Sequence, residues 1–227
     1  MTAIAKARSV LLAAVIGLAI TAYGQGLWGV LVFANLKTAP AIPWAPALMV
    51  PLLAVMVVFL AGVWPRRGAA TRRRLVRLGP VSRQAFLWSM IAGGCGVAAL
   101  SGVWIVLTSL VKTPPNLLVD LKGVPVLTLA PILIVSILAA PITEEIAFRG
   151  YALGVLERAF TPAAAIVVSS TLFALVHLTQ GLYPTKLVVY FLAGLAFALI
   201  AWRTGSLLPA MIVHSAADLT FFTLVWP

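Results

Sequence analysis

Seven apolar stretches, each close to the length of a membrane-crossing helix, follow one another at about residues 10–33, 46–64, 86–110, 126–148, 163–180, 186–202 and 207–226. A helix that crosses the hydrocarbon core of a bilayer takes about 20 apolar residues. Of the 227 residues, 63% are apolar and 9% are charged, where a soluble domain carries roughly 25% charged residues. So little polar surface cannot cover such a chain in water. The expected fold is all-α: a polytopic integral membrane helical bundle with about seven transmembrane helices. No internal repeat and no linker divides it, so residues 1–227 read as a single transmembrane domain.

Lys6 and Arg8 precede the first apolar stretch as they would in a signal peptide, but its apolar character runs past Gly24 to Phe33, which favours an uncleaved span. Trp44, Trp64, Trp88, Trp202 and Trp226 fall near span ends, where an interfacial aromatic belt would sit. Arg66, Arg67, Arg72, Arg73, Arg74, Arg77 and Arg83 crowd the loop between the second and third spans. Placing that loop in the cytoplasm brings Lys6, Arg8, Arg149, Arg158 and Arg203 to or near the same side and leaves Lys37, Lys112, Lys122 and Lys186 opposite. The positive-inside rule therefore puts the N-terminus in the cytoplasm. The net charge of +11 is thus topogenic, with no nucleic-acid partner implied. Cys95, the single cysteine, excludes an internal disulfide and a cysteine-rich metal site. It lies in Gly93-Gly94-Cys95-Gly96, which reads as a helix-packing run, as do Gly150 and Gly154.

Acidic residues number five and histidines two. Asp120 and Glu157 lie in or near loops. Glu144, Glu145, Asp218, His177 and His214 lie inside or at the ends of apolar helices, where a charge costs about 2.5–3.5 kcal/mol even on lenient insertion scales. Glu145 and Arg149 stand at i and i+4, as do His214 and Asp218, and Phe173 and His177. Glu144 is turned about 100° from Glu145 and is free to face something else. Counting along helices from a turn near 160 puts Glu144 and His177 at one level, about 24–26 Å away. His214 lies about 12 Å from its own turn, so the three meet only if the 126–180 hairpin projects further towards the cytoplasm.

Several chemistries are excluded. The histidines do not form HExxH, and there is no GxGD-like aspartate pair within the spans; composition leaves a serine–histidine pair open, although no serine sits in a glycine-flanked elbow. A carboxylate with two imidazoles suits amide hydrolysis, with glutamate as general base and polar neighbours stabilising the oxyanion. The same set suits a divalent metal such as zinc, with Glu144, His177, His214 and Asp218 as the available ligands. The metal-free alternative, with no cofactor, is preferred here.

Glu144-Glu145-Ile146-Ala147-Phe148-Arg149 resembles the EExxxR motif of the CAAX-protease and bacteriocin-processing (CPBP) intramembrane endopeptidases. Phe173-Ala174-Leu175-Val176-His177 resembles the FxxxH motif of that family, and His214-Ser215-Ala216-Ala217-Asp218 its HxxxN motif, with Asp in place of the commoner Asn. The resemblance covers about residues 125–225. It implies a membrane peptidase in which Glu144 and His177 activate a water. It further implies that His214 and Asp218 form the oxyanion site, with Glu145, Arg149 and Phe173 in support. The substrate would be a membrane-embedded or lipid-anchored protein or peptide within the bilayer. Short loops and an Ala/Arg-rich composition suggest a prokaryotic cytoplasmic membrane and argue against a prenylated CAAX substrate. The alternative is a proton- or cation-coupled transporter or a scaffold, since buried Glu, His and Asp would also serve a proton relay. No inverted repeat or pair of broken helices supports it.

Overall fold

A computed structural model describes residues 2–60, 76–111, 124–180 and 184–225. Trp64, Trp226, Arg66, Arg67, Arg72, Arg73, Arg74, Lys112, Asp120 and Lys122 lie outside the described residues. Among those described, the chain forms seven helical rods: α1 (Ala3–Thr38), α2 (Trp44–Val58), α3 (Arg83–Leu110), α4 (Val126–Leu156), α5 (Pro162–Val176), α6 (Pro184–Thr204) and α7 (Leu207–Val225). Four of them, α1, α3, α4 and α6, are long and apolar enough to cross a membrane, while the other three contain shorter apolar runs. Of the about seven transmembrane helices expected, seven helices are present among the described residues and four of them reach full spanning length.

Local chemistry accounts for the boundaries. Thr2, Ser82 and Thr161 cap α1, α3 and α5 by accepting from the backbone N–H three residues on, which satisfies a donor that the helix leaves open. Pro162 at the start of α5 has no N–H to strand. The α1–α2 turn closes on Asn35, which is fully buried. Its amide donates to the carbonyls of Ala39 and Ile42 and its oxygen accepts from Ala45 N at 2.7 Å. Gly205, at φ +65°, takes the left-handed conformation that ends α6 and allows the tight turn into α7.

Helix α1 runs antiparallel along α4. Gly17 abuts the Phe148 ring, Gly24 abuts Thr143, Trp28 Nε1 donates to Ser136 Oγ at 2.9 Å, and Thr128 Oγ1 donates to the Pro40 carbonyl. Both rods change character where they meet. Ala22–Gly26 of α1 and Glu145–Ala152 of α4 are π-helical, with i→i+5 bonds that spread the residues around wider turns. Behind this contact Phe148, Leu153, Leu156 and Phe173 form one apolar core, and Phe197, Leu207, Ala210 and Val213 form another. The outer surface is apolar as well, with Leu11, Val30, Phe33, Val55, Ile91 and Ile134 exposed, as lipid contact requires.

The described basic residues sort by end of the bundle. Arg77 pairs with Glu157 in the α4–α5 turn, and its carbonyl accepts from Leu207 N at the α6–α7 turn. Lys6 Nζ lies over the Phe160 ring. Three expectations are corrected. Arg149 is fully buried within the bundle and does not belong to the basic end. Cys95 is exposed, and of its glycine run Gly93 makes the close contact, against Val213. Gly150 abuts the backbone of Val76, so its small size admits a loop segment.

Candidate active site

Glu144 ends the α-helical part of α4 and Glu145 begins its π-helical part. Adjacent positions point about 100° apart around a helix, and the two carboxylates have only His214 as a common partner. Glu145 Oε1 lies 3.0 Å from Arg149 Nη1, both side chains wholly buried. The same oxygen lies 2.8 Å from His214 Nδ1. The Arg149 guanidinium stands 4.1 Å from the centre of the Phe173 ring and donates from Nη2 to the Gly194 carbonyl. Cation–π contact and charge pairing partly offset the burial of this arginine, whose Nε stays without a hydrogen-bond partner.

Glu144 is turned about a quarter of the way round the helix from Glu145, into the space between α5, α7 and α1. Its Oε1 is 3.7 Å from His177 Nε2 and its Oε2 is 3.5 Å from His214 Nε2. The three levels counted from the turns therefore coincide. The π-helical turns after Glu144 take up more residues per unit of length, which helps to bring it level with His214.

Each imidazole is oriented from behind. His177 stands in the single 3₁₀ turn that ends α5, with Nδ1 2.7 Å from the Phe173 carbonyl. A carbonyl only accepts, so that nitrogen carries the proton, and it is Nε2 that faces Glu144. His214 gives its Nδ1–H to Glu145, which leaves Nε2 facing Glu144 and, at 3.7 Å, Asp218 Oδ1. Phe173 packs edge-on against both imidazoles, with ring centres 4.9 and 5.8 Å away. It is thus the common wall of the site.

The sequence-predicted residues Glu144, Glu145, Arg149, Phe173, His177, His214 and Asp218 are brought together. Three further side chains join them. Tyr190 stacks on His177 with ring centres 3.9 Å apart, and Phe197 stacks on His214 at 4.3 Å. Gln25 of α1 donates its side-chain amide to Glu144 Oε1. The two aromatics read as ordinary core in an apolar helix. Gln25 carried a signal: it is an uncharged polar residue between two glycines in the middle of a long apolar span.

Imidazoles whose second N–H is given to a carbonyl or carboxylate also stand behind metal sites. Among the described residues, no three His, Cys, Asp or Glu side chains are placed to hold an ion.

No curated protein and no solved structure matches the chain. Residues 126–220 match the model of a family described as Type II CAAX prenyl endopeptidase Rce1-like. That stretch carries every group just described except Gln25. The segment that bears the site is therefore similar to the CAAX-protease family of membrane endopeptidases, a likeness that favours the protease over the transporter or scaffold.

Proposed function

We propose that the chain hydrolyses a peptide bond in a membrane-embedded or lipid-anchored polypeptide, with Glu144 and His177 activating the attacking water. The observation that carries this reading is the separation of Glu144 Oε1 and His177 Nε2, 3.7 Å. It is too long for a direct hydrogen bond and suits one water in contact with both. Glu144 takes a proton from that water as its oxygen attacks the scissile carbonyl carbon. The carbonyl oxygen becomes an oxyanion and meets His214 Nε2, when protonated, and Asp218. Glu144 then passes its proton to the departing amine nitrogen, the oxyanion re-forms the C=O bond as the C–N bond breaks, and a carboxylic acid and an amine leave. Glu145 holds His214 by its Nδ1–H throughout.

The activated water needs no metal or other cofactor in this reading. The basic end of the bundle faces the cytoplasm, with the N-terminus on that side, in a prokaryotic cytoplasmic membrane. Burial of the site among apolar helices supports a substrate that enters from the bilayer.

The test uses the full chain in proteoliposomes with two quenched fluorogenic peptides. One carries an unmodified transmembrane segment and the other a farnesylated C-terminal CAAX sequence. Cleavage of the unmodified peptide, lost in Glu144→Gln, is the expected result. Cleavage confined to the farnesylated peptide would overturn the substrate assignment, and an active Glu144→Gln protein would overturn the mechanism.

A further inference from the structure

Helix α1 lies outside the matched segment 126–220, yet it supplies a hydrogen bond to the proposed base. The contact is built. A Cβ on Gly24 would come within 2.4 Å of Thr143 Cγ2, and one on Gly17 within 2.7 Å of the Phe148 ring, so only glycine lets α1 approach this closely. At that point α1 opens into the π-helical segment Ala22–Gly26, and π-bulges inside α-helices are frequent at functional sites. Gln25 projects from it and donates Nε2–H to Glu144 Oε1. This is the oxygen that also stands 3.7 Å from His177 Nε2.

We infer that Gln25 is a positioning residue for the hydrolysis, holding the Glu144 carboxylate with Oε1 towards His177 and Oε2 towards His214. The inference rests on Glu144 being the base. Glu144 stands where α4 widens from α to π geometry and shares Oε1 and Oε2 between imidazoles on two different helices. A carboxylate so placed can turn about its last torsion, which is broad and roughly two-fold. A donor from a third helix removes that freedom. The residual lone pairs of Oε1 are then aimed at the water between Glu144 and His177, and misplacement of about 1 Å in such a group costs about 100-fold in rate. An amide bond that merely joined α1 to α4 would contribute to stability and leave the chemistry of each folded molecule unchanged.

The test measures kcat and KM for the full chain in proteoliposomes with the cleaved fluorogenic peptide, and thermal stability without it. Gln25→Met keeps the length of the side chain and removes the N–H; Gln25→Ala serves if the methionine variant does not accumulate. Expected are a fall in kcat of about 10- to 100-fold with KM within about twofold, and a Gln25→Glu variant at least as slow, since an ionised glutamate cannot donate. Thermal stabilities of Gln25→Met, Glu144→Ala and the double variant should be non-additive, since alanine removes the acceptor that Glu144→Gln would keep. Wild-type kcat in Gln25→Met beside an inactive Glu144→Gln overturns the role of Gln25 alone. Additive stabilities overturn the contact itself. An active Glu144→Gln overturns the reading on which both depend.

Discussion

His214 and Glu145 are joined across 69 residues of chain by a bond from Nδ1 to Oε1 of 2.8 Å, so the carboxylate that balances Arg149 also sets the orientation of the imidazole. The two neighbouring glutamates thereby have separable duties. Glu145→Gln leaves Arg149 buried without its counter-charge and offers His214 a weaker acceptor. Breaking a buried pair costs about 3–5 kcal/mol, and the retained amide oxygen puts the expected loss near the lower end. Turnover per folded molecule should fall as well, by about 10-fold or more, because His214 loses its charged anchor. Glu144→Gln should fold with nearly unchanged stability and show no turnover. Thermal unfolding and peptide cleavage measured on both variants separate the two roles.

A second expectation concerns the seam between α3 and α7. A Cβ on Gly93 would stand 2.2 Å from Val213 Cγ2 and 2.9 Å from its Cγ1. Val213 immediately precedes His214, so pressure there reaches the site. Gly93→Ala should cost about 1–3 kcal/mol, as overpacking does, and should lower the cleavage rate. Val213→Ala removes both methyls and leaves its Cβ 3.1 Å from the new group. The double variant should recover much of the stability lost by Gly93→Ala, a coupling of the sort that contacting residues show. Two equally destabilising, additive substitutions would contradict the contact.

The parts of the site that were legible in the sequence are those with helical spacing. Glu145 with Arg149 and His214 with Asp218 stand at i, i+4 and meet at 3.0 and 3.7 Å; Phe173 meets His177 through both its ring and its carbonyl. Costly polar groups in an apolar chain are few, so their periodicity stands out. Gln25 stood out only as a polar residue in an apolar span, and its role was not legible because its partner lies 119 residues away and a single amide has no periodic companion to give it away. Tyr190 and Phe197 were hidden for the opposite reason, since aromatics in an apolar span look alike whether they face lipid, core or an imidazole. The π-helical segments leave no mark in a hydrophobic pattern, and they decide which way Glu144 and Gln25 point. Cys95 shows the limit of composition: a run of small residues announces a close approach without saying which face of the helix makes it.

Zinc dependence provides a third check. The donor set offers Glu144 and two imidazole Nε2 atoms around a common space, yet no three acidic, histidine or cysteine side chains among the described residues are disposed to hold an ion. Activity of the purified protein should survive dialysis against a strong chelator, and added zinc should not raise it. Loss of cleavage on chelation, restored by stoichiometric zinc, would move Glu144, His177 and His214 from water activation to metal binding.

Asp218 supplies the last expectation, because it stands where the resembling motif usually has Asn. Its Oδ1 lies 3.7 Å from His214 Nε2, and its side chain is 28% exposed. That separation is too long for a direct hydrogen bond, which weighs against Asp218 as the acceptor that orients His214. The orienting bond is already supplied from the other side of the ring by Glu145. What remains for Asp218 is to face the same space as His214 Nε2, where the proposed mechanism puts the oxyanion. An ionised carboxylate there would repel the developing charge, whereas a protonated one can donate an O–H. Asn donates at every pH. Asp218→Asn should therefore keep its cleavage rate within about threefold of the wild type, a difference of about 0.7 kcal/mol in barrier height. Its activity should also lose any decline at rising pH that ionisation of Asp218 causes in the wild type. Asp218→Leu removes the donor altogether and should slow cleavage by about 100-fold, the scale on which a lost oxyanion donor is felt. An inactive but well-folded Asp218→Asn protein would instead make the carboxylate itself indispensable and assign the oxyanion to the imidazoles alone.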